Sequence, residues 1–248
     1  MGKSEHASPD ISLDVFFADP VARTRVVPQI QSLLIAGLSR KQIPDYAAPS
    51  SAHGLLNPLN QMDRQDYYRD LFSFTRLDRL LSPIYIAAAN TGGTTAHDIR
   101  LELVASGATD GVTVMDCNDF PSVPQKTFDL LRGPVVKAFR PPDVTARRLQ
   151  DRWLIQAKAD KVQPESTVWF HDPIYVGADR TTQVVFDVTV FADNLATPHK
   201  QSLQLPVEAS AETVTLNRII QLEGERFEKS PAHQAFLRKH GLLDEPNN

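Results

Sequence analysis

Apolar and polar side chains alternate along much of the chain, and this alternation predicts β-strands. The clearest example is the stretch 83–104, where residues 84–87 and 99–104 alternate on either side of Gly92 and Gly93. A period of two places one side of each strand in a core. Glycine adopts positive φ at little cost, so the glycine pair predicts a chain reversal between the two strands. A phosphate-binding loop is not favoured, because neither GxxxxGKS/T nor GxGxxG spacing is present.

Further strands are predicted on both sides of this stretch. Residues 10–19 alternate and end at an Asp-Pro step, and residues 182–192 alternate through Val184, Phe186, Val188 and Val190. The segment 202–208 follows a polar turn and resembles the partner strand of a hairpin. Shorter strand candidates are 112–115, 135–139, 153–157 and 168–170. Many short strands at modest spacing predict a mainly β protein, an immunoglobulin-like antiparallel β-sandwich with flanking helices.

Helical spacing is confined to a few segments. Residues 60–81 carry apolar side chains mostly at i, i+3 and i+4 spacing, which predicts an amphipathic helix capped by Asn60 or Asp63 and stopped by Pro83. The segment 28–38 is ambiguous between helix and strand, and residues 44–58 are predicted to be a linker. The carboxyl end predicts helix over 214–226 and 231–240. The expected organisation is a disordered start at 1–8, a sandwich over 9–210 with the helix 60–81 inserted, and a helical tail over 211–248.

Composition is ordinary for a soluble globular protein, and a cytoplasmic location is expected. It has 248 residues, 42% hydrophobic and 23% charged, with a formal net charge of −4. That balance gives no overall reason to bind nucleic acid or an anionic membrane. The apolar runs are far shorter than the roughly 20 residues that span a bilayer. The start of the chain lacks the apolar centre of a secretory signal, and a single cysteine cannot form an internal disulfide, so a reducing compartment is expected.

No catalytic, metal or cofactor motif emerges. The seven histidines never fall in HExxH or another closely spaced ligand pattern, and the serines lack a GxSxG elbow. Cys117 is flanked by Asp116 and Asp119, which oppose thiolate formation. His97 and Asp98 could be imagined as a base and its carboxylate, but neighbours on a strand point to opposite faces. The sequence therefore predicts a non-enzymatic protein with no cofactor.

The densest aromatic and titratable cluster is WFHDPIY, residues 169–175. Trp169, His171, Asp172 and Tyr175 could line a ligand pocket with stacking faces. In the alternative interpretation, Trp169 is an ordinary core residue and the His-Asp-Pro segment ends a strand. The alternative has the better support from the sequence, because aromatic residues dominate ordinary cores.

A basic stretch provides the only candidate electrostatic contact. Lys137, Arg140, Arg147 and Arg148 lie in or near RPPDVTARRLQDR, where Asp143 and Asp151 dilute the positive charge. Such a set could contact phosphates or an acidic partner. A solvated loop or short helix is the default interpretation, because charge runs usually face water.

Several segments taken in order resemble a known bacterial arrangement. These are YYRDL, PIYIAAANTGGTTAHDIRLEL, WFHDPIYVG and TTQVVFDVTVFADN. Over about residues 9–210 the chain resembles the β-sandwich region found carboxyl-terminal to Schlafen/AlbA-type ATP-binding domains. Asn90, Gly92, Ala96 and Asp98 match its Asn-x-Gly turn. The nucleotide-binding domain has no counterpart in this sequence, so no ATP role carries over. The resemblance implies an accessory sensing or protein-contacting module of a bacterial stress or defence system.

Three functional hypotheses follow. The first is a binding or assembly module that contacts a protein partner, or a second copy of itself, through an exposed edge strand or the terminal helices. The second is a small-ligand sensor or hydrolase that uses the aromatic segment 169–175. The third, nucleic-acid binding through residues 140–152, is opposed by the acidic balance of the chain.

Overall fold

A computed structural model describes residues 10–46, 61–106, 110–124, 127–129, 141–218 and 220–221. Several predictions lie outside these residues: the disordered start at 1–8, the strand at 135–139, the helix at 231–240 and the cap at Asn60. Most of the predicted linker, residues 47–58, also lies outside them, as do Lys137 and Arg140.

The chain divides into two compact units. The first comprises the described residues within 1–34, 76–122 and 134–211, and the second those within 35–75, 123–133 and 212–248. The strands of the described residues are β1 (Leu13–Asp19), β2 (Thr24–Arg25), β3 (Ile30–Ala36), β4 (Gln61–Asp63), β5 (Ser82–Asn90), β6 (Ala96–Ser106), β7 (Val112–Asp116), β8 (Thr127–Asp129), β9 (Val144–Leu149), β10 (Arg152–Val162), β11 (Ser166–Trp169), β12 (Ile174–Ala178), β13 (Thr182–Phe191) and β14 (His199–Thr213). The helix α1 spans Tyr67–Leu80, a 3-10 turn covers Arg40–Gln42, and residues 216–218 are helical.

Two large antiparallel sheets form an immunoglobulin-like β-sandwich, as the alternation predicts. In the described residues the first sheet has the order β2-β1-β5-β12-β7, with β11 also paired to β5, and the second has the order β3-β14-β13-β6-β10-β9. In addition, β4 pairs with β8 in a two-stranded sheet. Side chains from both large sheets form one continuous apolar cluster, the main core, which includes Phe17, Ile86, Leu101, Ile155 and Phe186.

The glycine turn joins strands that do not pair with each other. β5 belongs to the first sheet and β6 to the second, so residues 91–95 cross from one sheet to the other. Neither Gly92 nor Gly93 is among the positive-φ residues, so the predicted reason for the glycines is wrong. Gly92 is needed for close approach, because a Cβ there would lie 2.4 Å from the backbone oxygen of Asp10. Buried Asn90 accepts the Gly92 N–H at 3.1 Å and donates to the carbonyl of Thr94 at 2.8 Å.

Two segments whose secondary structure the sequence leaves open or assigns to a loop or short helix, 28–38 and 140–152, contain β-strands in the structure. Residues 30–36 form an edge strand of the second sheet, although their spacing is close to helical. The basic stretch is not a loop or a short helix, because it contains β9, which pairs with β10 in a tight hairpin. The hairpin predicted between residues 182–192 and 202–208 is confirmed by the pairing of β13 with β14.

The predicted amphipathic helix begins later than the sequence suggests. Residues 61–63 form β4, so Asp63 is not its cap, and α1 starts at Tyr67. Its buried side chains are Tyr67, Leu71, Phe72, Phe74 and Thr75. These positions recur every three to four residues, which confirms the predicted amphipathic period.

The second unit has its own aromatic cluster around the start of α1. The ring of Tyr46 lies 5.2 Å from that of Tyr67 and 5.3 Å from that of Tyr68, both in edge-to-face contact. Arg69 pairs with the carboxylates of Asp66 and Asp45. Its hydrogen bonds to these carboxylates, first to Asp66 and then to Asp45, raise the pKa of the guanidinium.

Candidate binding surface

The first sheet carries aromatic side chains on the side that faces away from the main core. We call this side the outer face and define it by Phe16, Tyr85, Trp169 and Tyr175, together with the small residues Ala18 and Ala87. Strand register places them together: Phe16 and Trp169 both lie opposite Ala87, while Tyr85 lies opposite Ala18 and Tyr175 opposite Pro83. Residues directly opposite in a ladder share one side of the sheet.

Trp169 anchors one end of the outer face. Its ring meets Phe16 edge to face at a centroid distance of 5.9 Å, and it packs against a small cluster of Phe16, Ala18 and Ala87. This cluster is separate from the main core. Trp169 is half-buried, so part of its apolar surface remains accessible. The interpretation as an ordinary core residue therefore does not describe its position fully.

Two tyrosines occupy the other end of the outer face. Tyr175 stacks on Phe120 at a centroid distance of 4.0 Å and an interplanar angle of 16°. Tyr85 is its diagonal neighbour across the β5–β12 ladder. Burial raises the pKa of both phenols above their ordinary value, and the charge of Asp172 adds to the rise for Tyr85. At Tyr175 the additional contributions come from Tyr85, Cys117 and Asp78. Both phenols therefore stay protonated near neutral pH.

The four residues of the predicted aromatic site do not surround one point. Trp169 and Tyr175 lie opposite positions 87 and 83 of β5, which are about 13 Å apart at the rise of an extended strand. His171 is exposed in the segment between β11 and β12. Asp172 is half-buried and its carboxylate accepts the backbone N–H of Asp143 at 2.6 Å. The geometry is a row along a face rather than a closed pocket.

The two described arginines of the basic set point in opposite directions. Arg147 lies opposite Leu154 and Arg148 opposite Trp153, so successive residues of β9 alternate across the second sheet. The guanidinium of Arg148 lies 5.7 Å from the centroid of the Trp153 ring. This pair of arginines therefore does not form a single basic patch.

At the edges of both sheets, side chains form hydrogen bonds with backbone N–H and C=O groups. The Gln201 amide accepts the N–H of Val15 at 3.0 Å and donates to the Val15 carbonyl, which joins β14 to β1. On the other side, the Asp116 carboxylate accepts the N–H of Ala146 at 3.2 Å, which joins β7 to β9. The Trp153 indole donates to the carbonyl of Val112 at 3.0 Å. We call these contacts the edge caps; they take up groups that strand addition needs.

The described residues contain no group of three or more His, Cys, Asp or Glu side chains that could hold a metal ion. Within the same residues, His97 and Asp98 are both exposed, and Asp98 has a left-handed backbone with φ of 49°. Among the helices that the structure describes, none has the length and apolar character needed to cross a membrane.

Comparison with known proteins gives no family and only weak structural likenesses. No protein-family model matches the chain, and the search of curated proteins gives no match. Among solved structures, AggA, the major subunit of aggregative adherence fimbriae type I from Escherichia coli, is 7% identical; the match covers 83% of this chain and 99% of AggA with a TM-score of 0.25. The CooA pilin subunit from enterotoxigenic Escherichia coli is 8% identical over 82% of this chain and 99% of its own, with a TM-score of 0.25. AvmM, which catalyses macrocyclization in alchivemycin A biosynthesis, is 7% identical over 84% of this chain and 93% of its own, with a TM-score of 0.29.

Sequence reasoning found Trp169 and Tyr175 but missed Phe16, Tyr85 and Phe120. A signal for two of them was present, because Phe16 and Tyr85 occupy the positions of β1 and β5 that alternate with the core residues. Aromatic residues at positions expected to face solvent indicate a covered or binding face.

Proposed function

We propose that the chain is a non-enzymatic protein-binding module and that the outer face is its binding surface. The observation that carries the proposal is the row of half-buried aromatic side chains, Trp169, Tyr85 and Tyr175, on the side of the first sheet that faces away from the main core. An antiparallel sheet with one side in a core usually presents polar residues on the other. Tyrosine and tryptophan are also the residues enriched at the energetic centres of protein interfaces.

The edge caps favour recognition by a face over strand addition. An incoming strand at β1 would have to displace the Gln201 amide from Val15, and one between β7 and β9 would have to displace Asp116 from Ala146. Each displacement exchanges one hydrogen bond for another and so gains little. We therefore modify the first sequence hypothesis: the module uses its outer face rather than the capped edges of β1, β7 and β9.

The alternative of a small-ligand sensor or hydrolase at residues 169–175 has less support. Its two rings, Trp169 and Tyr175, lie opposite positions of β5 that are about 13 Å apart, and His171 is exposed. The wider role suggested by the Schlafen/AlbA resemblance, an accessory module of a bacterial stress or defence system in the cytoplasm, fits a binding module of this kind.

Affinity capture of partners with matched surface variants tests the proposal. The tagged chain is compared with Trp169→Arg and Tyr175→Arg, and the control is Lys158→Glu, an exposed position on β10 of the second sheet. Circular dichroism verifies that each variant is folded. We expect a protein recovered with the native chain and the control to be reduced at least about tenfold by either arginine variant, the effect of losing one hot-spot residue.

Reconstitution with the purified partner and calorimetry would then measure the affinity directly. Light scattering of the chain alone separates a second copy from a different protein, because self-association would appear as a dimer that the arginine variants dissociate. Binding that survives both arginine variants, or that the control variant abolishes equally, would contradict the assignment of the outer face.

A further inference from the structure

One end of the outer face holds an arginine of the chain itself. Arg25 lies opposite Ala18 in the β1–β2 ladder, so its side chain is on the same side of the sheet as Phe16. Its guanidinium lies 4.4 Å from the centroid of the Phe16 ring and pairs with the carboxylate of Asp14. A planar guanidinium can stack on a ring and bond to a carboxylate at the same time. This end of the outer face therefore shows how the sheet holds a cation, and its two charges balance.

The other end of the outer face has the aromatic part of the same arrangement. Tyr85 and Tyr175 are diagonal neighbours across the β5–β12 ladder, which places their rings within reach of each other. Phe120 stacks on Tyr175 at a centroid distance of 4.0 Å. All three side chains are partly exposed. Since the face of an aromatic ring attracts cations, these rings provide a surface for a cation like the one that Phe16 holds.

A carboxylate lies beside the first of these rings. Tyr85 is one position beyond the pair of Ile84 and Ile174 in the ladder, so its neighbour on the other strand is residue 173 and Asp172 follows directly. Burial raises the pKa of the Tyr85 phenol, and the nearby charge of Asp172 adds to this rise. The Asp172 carboxylate accepts the backbone N–H of Asp143 at 2.6 Å. Because that N–H is neutral, this hydrogen bond leaves the negative charge of Asp172 in place.

The second ring and its stacking partner also have acidic neighbours. Burial is the main cause of the raised pKa of Tyr175, and Asp78 of α1 is the carboxylate among the further causes. Asp119 is exposed and directly precedes Phe120. Negative charge thus borders the aromatic rings at this end of the outer face, where a positively charged occupant would be complementary.

From these features we infer that the Tyr85–Tyr175 end of the outer face binds an arginine side chain of the protein partner, with the guanidinium on the rings and beside the Asp172 carboxylate. The partner is thus a protein that presents a basic segment. The inference rests on the proposed function, that the outer face binds a protein, and it specifies the chemistry of the side chain that this face recognises. Arg25 on Phe16 provides the example of the binding mode within the same sheet.

Blocked amino acids test the inference without knowledge of the partner. N-acetyl-L-argininamide carries the guanidinium, N-acetyl-L-citrullinamide has nearly the same shape without the charge, and N-acetyl-L-lysinamide carries a charge that is not planar. Each is titrated at low salt into the isotope-labelled full chain and followed by amide NMR shifts. We expect shifts confined to residues 83–86, 115–120 and 172–176. The dissociation constant of the arginine probe, a ligand of about 15 non-hydrogen atoms, should be on the order of millimolar.

The preference among the probes measures the recognition of a planar cation. The arginine probe should bind about three- to thirtyfold more tightly than the citrulline probe, the combined range for an exposed cation–π contact and an exposed ion pair. The lysine probe should bind more weakly than the arginine probe, because an ammonium group does not stack on a ring. Equal affinities for arginine and citrulline, a lysine probe that binds as tightly as arginine, or shifts scattered over other surfaces would overturn the inference.

Matched variants assign the preference to named side chains. Asp172→Asn keeps an acceptor for the Asp143 N–H and should reduce the preference for arginine by up to about fivefold, the upper range for an exposed ion pair. The control Asp187→Asn removes an exposed carboxylate from β13 of the second sheet and should leave the preference unchanged. Tyr85→Leu should weaken binding of the arginine probe, whereas Tyr85→Phe, which keeps the ring, should retain most of it. Equal effects of the two Asp→Asn variants, or an unchanged preference in Tyr85→Leu, would contradict the assignment.

The capture experiment separates this inference from the proposed function. Excess argininamide should release the captured partner, and excess citrullinamide should not. A partner that is lost in Tyr175→Arg but is not released by argininamide would count against the inference and leave the outer face as the binding surface. A preference for the arginine probe at these residues in a chain whose captured partner is unaffected by both arginine variants would count against the proposed function, and the arginine site itself would stand.

Discussion

β7 and β9 are edge strands that do not pair with each other. Replacing Asp116 by alanine tests whether side-chain hydrogen bonds link these two strands. Asp116 is 7% exposed, and its carboxylate accepts three backbone N–H groups. Those of Asn118 and Asp119 reach one oxygen at 2.9 and 3.1 Å, and that of Ala146 reaches the other at 3.2 Å. One side chain thus fixes a turn of the first sheet and the edge strand of the second.

The cost of the substitution can be worked from the surroundings of each donor. Ala146 is 8% exposed, so its N–H would be left without an acceptor, at a cost of about 1–3 kcal/mol. Asn118 and Asp119 are exposed, so water can replace the carboxylate there and each lost bond costs about 0.5–1 kcal/mol. We expect Asp116→Ala to lower the free energy of unfolding by about 2–5 kcal/mol. Asp116→Asn, which keeps one acceptor oxygen, should cost roughly half as much.

Urea unfolding followed by tryptophan fluorescence measures these changes. Asp119→Ala is the matched control, because it removes an exposed carboxylate from the same turn while its backbone N–H stays in place. The control should change stability by no more than about 0.5 kcal/mol. If Asp116→Ala were as stable as this control, the carboxylate would not hold the margin together and the argument for edge caps would fail.

Three further outcomes are expected. Gly92→Ala should destabilise the chain by about 1–3 kcal/mol in the same urea assay, because its Cβ would meet backbone, whereas Gly93→Ala, whose Cβ would meet only a carboxylate at 3.3 Å, should cost much less. Gln201→Leu should increase hydrogen exchange at the amide of Val15, and unchanged exchange would refute this cap. In an alkaline titration followed by phenolate absorbance, Tyr85 and Tyr175 should ionise above the ordinary pKa of a phenol, as the difference between the native chain and the Tyr85→Phe and Tyr175→Phe variants would show. Because the folded state holds these protons more tightly, their contribution to stability is complete below pH about 10 and declines as pH rises through the folded pKa.

The period-two pattern was sufficient to predict the sandwich because the longer strands of the two large sheets have one side in the main core. β13 and β14 illustrate this, since Val184, Phe186 and Leu205 point inward from paired strands. The pattern does not say which sheet a strand joins. The turn after β5 therefore looks the same in sequence whether it makes a hairpin or a crossing between sheets, and buried Asn90 and the close approach at Gly92 become visible only in three dimensions.

The proposed binding surface was only partly predictable for a related reason. Trp169 and Tyr175 stood out because they are close in sequence, which suggested one pocket. Their actual neighbours come from distant strands: Phe16 from β1 and Tyr85 from β5. Periodicity assigns a residue to one side of its strand, but the sharing of a face depends on long-range register. The prediction therefore identified Trp169 and Tyr175 but not the other residues that share the outer face with them.

Energetics favour the outer face over an edge as the place where a partner gains affinity. Strand addition at Val15 would exchange the two hydrogen bonds of Gln201 for two others, with a net gain near zero. A fully buried aromatic residue removes 150–250 Å² from water, and Trp169, Tyr85 and Tyr175 are already mostly buried, so covering the rest of the three side chains buries at most roughly 200 Å². At about 25 cal/mol per Å² this contributes at most roughly 5 kcal/mol before the entropy of association is subtracted. A partner that covers the outer face therefore gains binding free energy from apolar burial, whereas a partner strand that pairs with a capped edge gains almost none.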